Sequence, residues 1–435
     1  MLHSTDRAAA SGRGLPRGSD FAALRAANLI YIDKTPIIYY LTCIGSGAYK
    51  FARPAGFGRT TLISTLEELF VHGVEPYCGH DSWFKGLYIE QHWQERAGVY
   101  AVLKLDFAGL FDSGRAPSLE SFERNLACRL SSFAAEHHIE LPELSKHAGA
   151  NDILRELCSN AKGNDRGSLV LLIDNYDAPF VRLEQDTEAL RRMHSFWEQF
   201  NRLLKAFRDK FRFIFVSGSL NFEIAACFAS ASCLENISQS PRSAYLCGFS
   251  REECALYFKE ALSSAAAQRH NVPPAEITDD DLNALLCTLE RWYGGFSFDT
   301  LAAARLLHPQ SVLKFLNNNR SEFKVYRQGL ESAFTEIVRL KADDELELAD
   351  LRRLTEPRAK LYLHSWDFMH VTSVKRMSAL QRLFQDGFLT LKAPIRSADF
   401  GVKFKVPNLE IKTMLKHLAK TVPEHAVLRP YCSTH

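Results

Sequence analysis

Apolar residues along the chain follow two different periods. Five short stretches rich in β-branched or aromatic residues read as strands: Ala48–Ala52, Val99–Phe107, Leu169–Asp174, Phe211–Ser217 and a weaker one at Ala244–Cys247. Helical periodicity fills the intervals. In Thr60–Val71 the apolar positions Leu62, Leu66, Leu69 and Phe70 share one face and Gly73 supplies a stop, while Ser118–His138 and Glu188–Arg208 read as further amphipathic helices. Strands alternating with helices predict an α/β fold, a mostly parallel sheet covered by helices.

From about Arg251 the strand signal fades. Helical patterns at Arg251–Gln268 and Asp280–Trp292 dominate, with Pro273–Pro274 marking a loop between them, and together they suggest a helical lid. Near the end, Phe388–Leu391 and Val402–Val406 read as a β-hairpin behind a helix at Ser378–Gln385, the pattern of a winged-helix module. The expected division is a flexible tail over 1–18, an α/β core over 19–250, the lid over 251–340, the winged-helix module over 341–420 and a tail over 421–435. No internal repeat is visible.

Composition narrows the classes. A chain of 435 residues with 46% hydrophobic and 24% charged residues can build two or three packed domains. The net charge of +2 gives no whole-chain attraction to nucleic acid or to an anionic membrane. Ten cysteines at irregular spacings form no CxxC pair, and fifteen histidines form no HExxH, which points to a reducing, cytoplasmic setting. The adjacent His137 and His138 read as a solvated pair. No apolar run reaches the length of a membrane span. Arg7, Arg13 and Arg17 lie among Ala, Ser and Gly without the apolar stretch of a secretory signal; the alternative to a flexible tail is an organelle transit peptide.

Candidate chemistry begins at Arg53-Pro-Ala-Gly-Phe-Gly-Arg-Thr-Thr61, which follows a predicted strand and opens a predicted helix. Amides at a helix start attract phosphate oxygens, and Gly56 and Gly58 would let the chain approach closely. Thr60 takes the position whose hydroxyl holds magnesium. The usual GxxxxGK[ST] pattern has glycine where Arg53 stands and lysine where Arg59 stands, so an ordinary glycine turn is the competing reading of this stretch alone. Leu169–Asp174 is an apolar strand ending in an acid, as expected of a strand that brings a carboxylate to a nucleotide's magnesium, although a buried strand with a polar end is common in any α/β sheet. Phe211–Ser217 runs into Gly-Ser-Leu-Asn221, where Ser219 or Asn221 could sense a terminal phosphate; a plain turn is the alternative.

In order along the chain these segments resemble the AAA-ATPase-like family, whose members often carry a PD-(D/E)XK nuclease domain at the C-terminus. Leu15-Pro16, Asp20-Phe21 and Tyr31-Ile-Asp-Lys-Thr35 look like its N-terminal signature, Arg53-Pro54 with Phe57-Gly58 like its RPRRFGK[ST] loop, and Phe84-Lys-Gly-Leu87 like the segment that follows. Ile173-Asp-Asn-Tyr-Asp177 resembles its IDEYD, Ser217-Gly218 its TG, Cys247-Gly-Phe-Ser250 its GFT and Trp292-Tyr-Gly-Gly-Phe296 its WYDGY; Phe384–Leu391 and Pro407-Asn408 also fit. The resemblance spans about residues 15–415. It implies a P-loop NTPase core with ATP and Mg2+ as cofactors. On that reading Arg53, Gly56, Phe57, Gly58, Arg59, Thr60, Thr61 and Asn221 contact nucleotide, Thr60 and Asp174 serve the metal, and Arg59 and Asn175 occupy the catalytic positions.

Three departures bear on turnover. Arg59 replaces lysine, Asn175 replaces glutamate, and Ala55 and Gly56 replace paired arginines. A neutral amide orients water but takes no proton from it, and groups of this kind are each worth about 10²–10⁴-fold. The sequence therefore predicts ATP binding with weakened hydrolysis, nucleotide occupancy setting the angle between core and lid. Two alternatives stand beside it: a slow ATPase assisted by an arginine from a homo-oligomeric neighbour, and a nucleotide-free scaffold that binds protein or nucleic acid through its C-terminal region, where Lys403, Lys405, Lys412 and Lys416 form a modest basic cluster. Glu410-Ile-Lys412 mimics a nuclease ExK triplet but opens a predicted helix, and the chain stops where the family's nuclease would begin.

Overall fold

A computed structural model describes residues 13–96, 98–141, 148–161, 167–223, 232–318, 322–341, 344, 348, 351–354, 356, 361–395, 401–418 and 420. Most of the tail expected over 1–18 and all of that expected over 421–435 lie outside them. The described residues fall into two units. The first takes those up to Arg53, with Gly58–Cys247 and Val371–Arg376; the second takes Pro54–Phe57, Gly248–His370 and those from Met377 on.

The first unit is built on a parallel sheet of β1 (Ala48–Ala52), β2 (Ala101–Asp106), β3 (Leu169–Asp174), β4 (Phe211–Gly218) and β5 (Glu235–Asn236), in the order β2-β3-β4-β1-β5. Every residue of β3 is buried, so both its faces are covered, which is why it reads as an unbroken apolar run. β2 lies at the sheet edge and alternates instead: Lys104 is exposed and pairs with Glu67, while Leu103 and Leu105 are buried. The helix Arg59–His72 packs on β2 and β3 and sets Phe70 5.1 Å from Phe213 of β4. The helices Leu119–Glu136 and Thr187–Ala206 bring Phe122, Trp197 and Phe200 around Phe107, just past the end of β2.

Two expectations change here. Ala244–Cys247 is no strand; Ala244, Leu246 and Cys247 are apolar because a turn buries them. The fifth strand is the exposed pair Glu235–Asn236, which pairs with Tyr49 and Lys50 at the other edge and carries no apolar signal. Within β1, Lys50 is buried, donates to the Phe222 carbonyl and lies over the Tyr176 ring at 5.1 Å. Burial lowers its pKa to about 8, against partial support from Glu223 and Asp177.

The second unit is largely helical. Arg251–Gln268 forms two helices, Arg251–Tyr257 and Lys259–His270, broken at Phe258; Asp279–Tyr293 and Pro309–Asn317 follow. A short antiparallel sheet of β6 (Tyr362–His364), β7 (Thr390–Leu391) and β8 (Gly401–Lys405), in the order β6-β8-β7, accompanies the helices Ala379–Gln385 and Leu409–Leu418. β7 and β8 are the two arms expected as a hairpin. No helix among the described residues is long and apolar enough to cross a membrane.

Candidate functional site

Parallel pairing aligns the C-terminal ends of the strands. Asp106 stands opposite Asp174 across β2 and β3, and Ala52 stands opposite Gly218 across β1 and β4. β4 lies between β1 and β3, so its end stands beside both the end of β1 and the acidic strand. The helix that follows the loop begins at Arg59. Its N-cap is Gly58 at φ 98°, in the left-handed region that glycine enters at little cost, and no side chain caps it. The first amides of a helix have no intrahelical acceptor, and here no N-cap side chain fills that place.

Thr60 and Asp174 meet directly. The Thr60 hydroxyl donates to Asp174 Oδ2 at 3.0 Å, while Asp174 Oδ1 accepts from the Ser217 hydroxyl at 2.7 Å and from the Asn175 amide at 2.9 Å. Asp174 is 5% exposed. Arg59 closes the cluster: Nη2 donates to Ser219 Oγ at 2.9 Å and to Asn175 Oδ1 at 3.3 Å, and Nη1 lies 3.7 Å from Asp174 Oδ1. Asn175, in the left-handed region at φ 54°, is held at both ends of its amide, because its Nδ2 donates to Asp106 Oδ1 at 2.9 Å. Behind it Asp177 is buried and accepts the Ser219 and Leu220 amides; burial raises its pKa and Arg59 opposes that rise.

Of the residues singled out in the sequence, Arg59, Thr60, Asp174, Asn175 and Ser219 come together. Arg53 does not join them. Its guanidinium is 2% exposed, lies 4.5 Å over the Phe51 ring and donates to the carbonyls of Ala52 and Ser238. Asn221 accepts from Asn236 at 2.9 Å, on the β5 side of the sheet, so Ser219 and not Asn221 meets Arg59. The Thr61 carbonyl takes the Thr65 hydroxyl at 2.8 Å. Gly56 and Phe57 belong to the second unit, where Phe57 is buried. Glu410 is buried and accepts the Ser311 hydroxyl and the Tyr326 and Arg327 amides, a structural post.

Asp106 and Ser217 were missed as site residues. The signal for Asp106 was present: Leu103-Lys-Leu-Asp106 ends a strand in an acid just as Leu169–Asp174 does. Among the described residues no three His, Cys, Asp or Glu side chains gather as a metal site. One carboxylate beside one hydroxyl is a hard-oxygen pair that suits magnesium when phosphate oxygens and water complete the shell.

A parallel sheet with a glycine loop leading from its β1 into an uncapped helix start, and a central strand ending in aspartate beside that start, defines a P-loop NTPase core. Residues 18–228 match the AAA-ATPase-like family model, described as a predicted AAA-ATPase. A protein of Azotobacter chroococcum mcd 1, described as an uncharacterized protein in the vnfD 5′ region, is 24% identical over 422 residues, which cover 96% of this chain and 72% of that protein. A Walker-type ATPase of Pyrococcus abyssi aligns over 94% of this chain and 99% of its own, at 12% identity and a TM-score of 0.45.

Proposed function

We propose that the first unit binds ATP with Mg2+ and hydrolyses it slowly. The observation that carries this reading is the 3.0 Å contact between the Thr60 hydroxyl and Asp174, beside a helix start that no side chain caps. The amides opening the helix at Arg59 hold phosphate oxygens, Thr60 and Asp174 hold the metal, and Arg59 supplies a cation next to them. Bound magnesium supplies charge neutralisation for the phosphate chain. Asn175 orients water without taking its proton, since its amide is neutral and bridges Arg59 to Asp106.

A titration with a fluorescent ATP analogue tests the binding. Saturable, magnesium-dependent binding that falls in Thr60→Ala and in Asp174→Asn is expected. A wild-type chain that stays folded and shows no saturation overturns the proposal.

A second reading rests on the Asp106–Asn175 contact. It sets a carboxylate one strand away from the glutamate position, where Asp106 can accept the proton of a water that Asn175 orients. Phosphate release above background that disappears in Asp106→Asn supports it; release unchanged by that substitution excludes it. We further read the β6-β8-β7 sheet with its flanking helices as a winged-helix module able to bind a protein or nucleic acid, and a salt-sensitive shift of duplex DNA in a gel tests the nucleic-acid case.

A further inference from the structure

The loop residues just before the helix start are held by a buried polar chain within the second unit. Phe57 is 1% exposed and meets Phe296, Phe298 and His308 edge-on at 5.2, 5.2 and 5.0 Å. His308 is fully buried; its Nε2 lies 3.1 Å from the Ala55 carbonyl, and its Nδ1 lies 3.2 Å from the Ser311 amide and 2.9 Å from the Ser311 hydroxyl. A backbone N–H only donates, so Nδ1 is the acceptor and the ring hydrogen sits on Nε2, pointed at Ala55. The Ser311 hydroxyl reaches Glu410 at 2.9 Å, and Glu410 is anchored by the Tyr326 and Arg327 amides at 2.7 and 3.2 Å. Burial and the nearby Arg327 hold the imidazole well below its usual range, which keeps it neutral with this single hydrogen.

The neighbouring backbone is shaped to this ring. Gly56 has φ 81°, and a Cβ there would lie 2.6 Å from His308 Nε2, so both conformation and space require glycine. The Gln310 amide adds a second tie, to the Gly56 carbonyl at 3.4 Å.

We propose that His308 is a positioning residue for the phosphate loop: its Nε2–H, oriented by the Ser311 amide on Nδ1, pins the Ala55 carbonyl and presets the backbone that leads into the helix start at Arg59. This rests on the reading of that loop as the phosphate site. A preset loop loses less conformational freedom when a ligand arrives, so the pin appears as affinity. Ser311 acts on the loop through the ring.

Two substitutions separate the jobs of the ring. His308→Asn keeps an N-cap acceptor for the Ser311 amide but is too short to reach Ala55; His308→Gln carries an amide N–H near the Nε2 position and gives up the cap. Hydrogen exchange of the loop amides is followed without nucleotide, together with the dissociation constant of the fluorescent ATP analogue and the melting temperature. His308→Asn is expected to exchange faster over residues 55–60 and to bind the analogue roughly tenfold more weakly with little change in melting temperature. His308→Gln is expected to melt lower while keeping loop protection and affinity. Native exchange in His308→Asn, or affinity losses that follow the melting temperature in both variants, overturns the proposal. Should the wild type bind no analogue, the nucleotide reading fails, and the exchange data still decide whether His308 presets the loop.

Discussion

Replacing Arg59 with lysine should move stability and affinity in opposite directions. The arginine is 9% exposed, and its planar fork serves Ser219 at 2.9 Å and Asn175 at 3.3 Å while Nη1 stands 3.7 Å from Asp174. A single ammonium on a lysine stem cannot span those three acceptors. Each hydrogen bond lost costs about 1 kcal/mol net, so Arg59→Lys should destabilise the nucleotide-free protein by about 1–2 kcal/mol, a fall of roughly 2–8 °C in melting temperature for a unit of this size. The same bonds must be released before Arg59 can turn to a phosphate. Lysine carries no such cost, and at about 1.4 kcal/mol per factor of ten the variant should bind ATP roughly tenfold more tightly. Calorimetric unfolding without nucleotide and a titration of each protein with the fluorescent analogue supply the two numbers. Equal or weaker binding by Arg59→Lys refutes the argument, because it would mean that the contacts to Ser219 and Asn175 do not compete with phosphate.

Two further outcomes follow from buried charge. Lys50 falls from its ordinary 10.5 to about 8 in the fold, so between those values the unfolded chain holds a proton that the native protein has released; stability should rise with pH across that window, by about 3 kcal/mol in all, and Lys50→Met should flatten the rise in urea midpoints. Parallel profiles for the two proteins would contradict this. Glu410→Ala leaves two buried amides without their acceptor, a loss of at least about 2 kcal/mol, whereas Glu410→Gln retains a carbonyl oxygen and should lose less than half as much; equal losses in chemical denaturation would show that the carboxylate does not hold those donors.

Local pattern was enough for much of the scaffold. The all-apolar run at Leu169–Asp174 announced a central strand because a strand covered on both faces has no polar side to show. The helix opening near Thr60 was legible from Leu62, Leu66 and Leu69 on one face and a glycine stop at Gly73, and the structure places it at Arg59–His72. The acid ending a central strand and the threonine after a glycine loop were readable as types in the right local setting. What periodicity could not supply was any contact set by strand order. Glu235–Asn236 became a strand only because β1 offered it an open edge, and the apolar stretch at Ala244–Cys247 needed no sheet once a turn buried it. Asp106 meets Asn175 across 69 positions, and His308 meets Ala55 across 253; a side chain's hydrogen-bond partner at that separation is fixed by packing, and one chain of letters carries no signal of it. The sequence by itself thus determined which residue types close the β1 loop and the β3 strand. Only the tertiary structure decided that Arg53 turns into the core while Arg59 bridges Ser219 and Asn175, because two arginines with equal charge differ only in which acceptors the fold sets within reach.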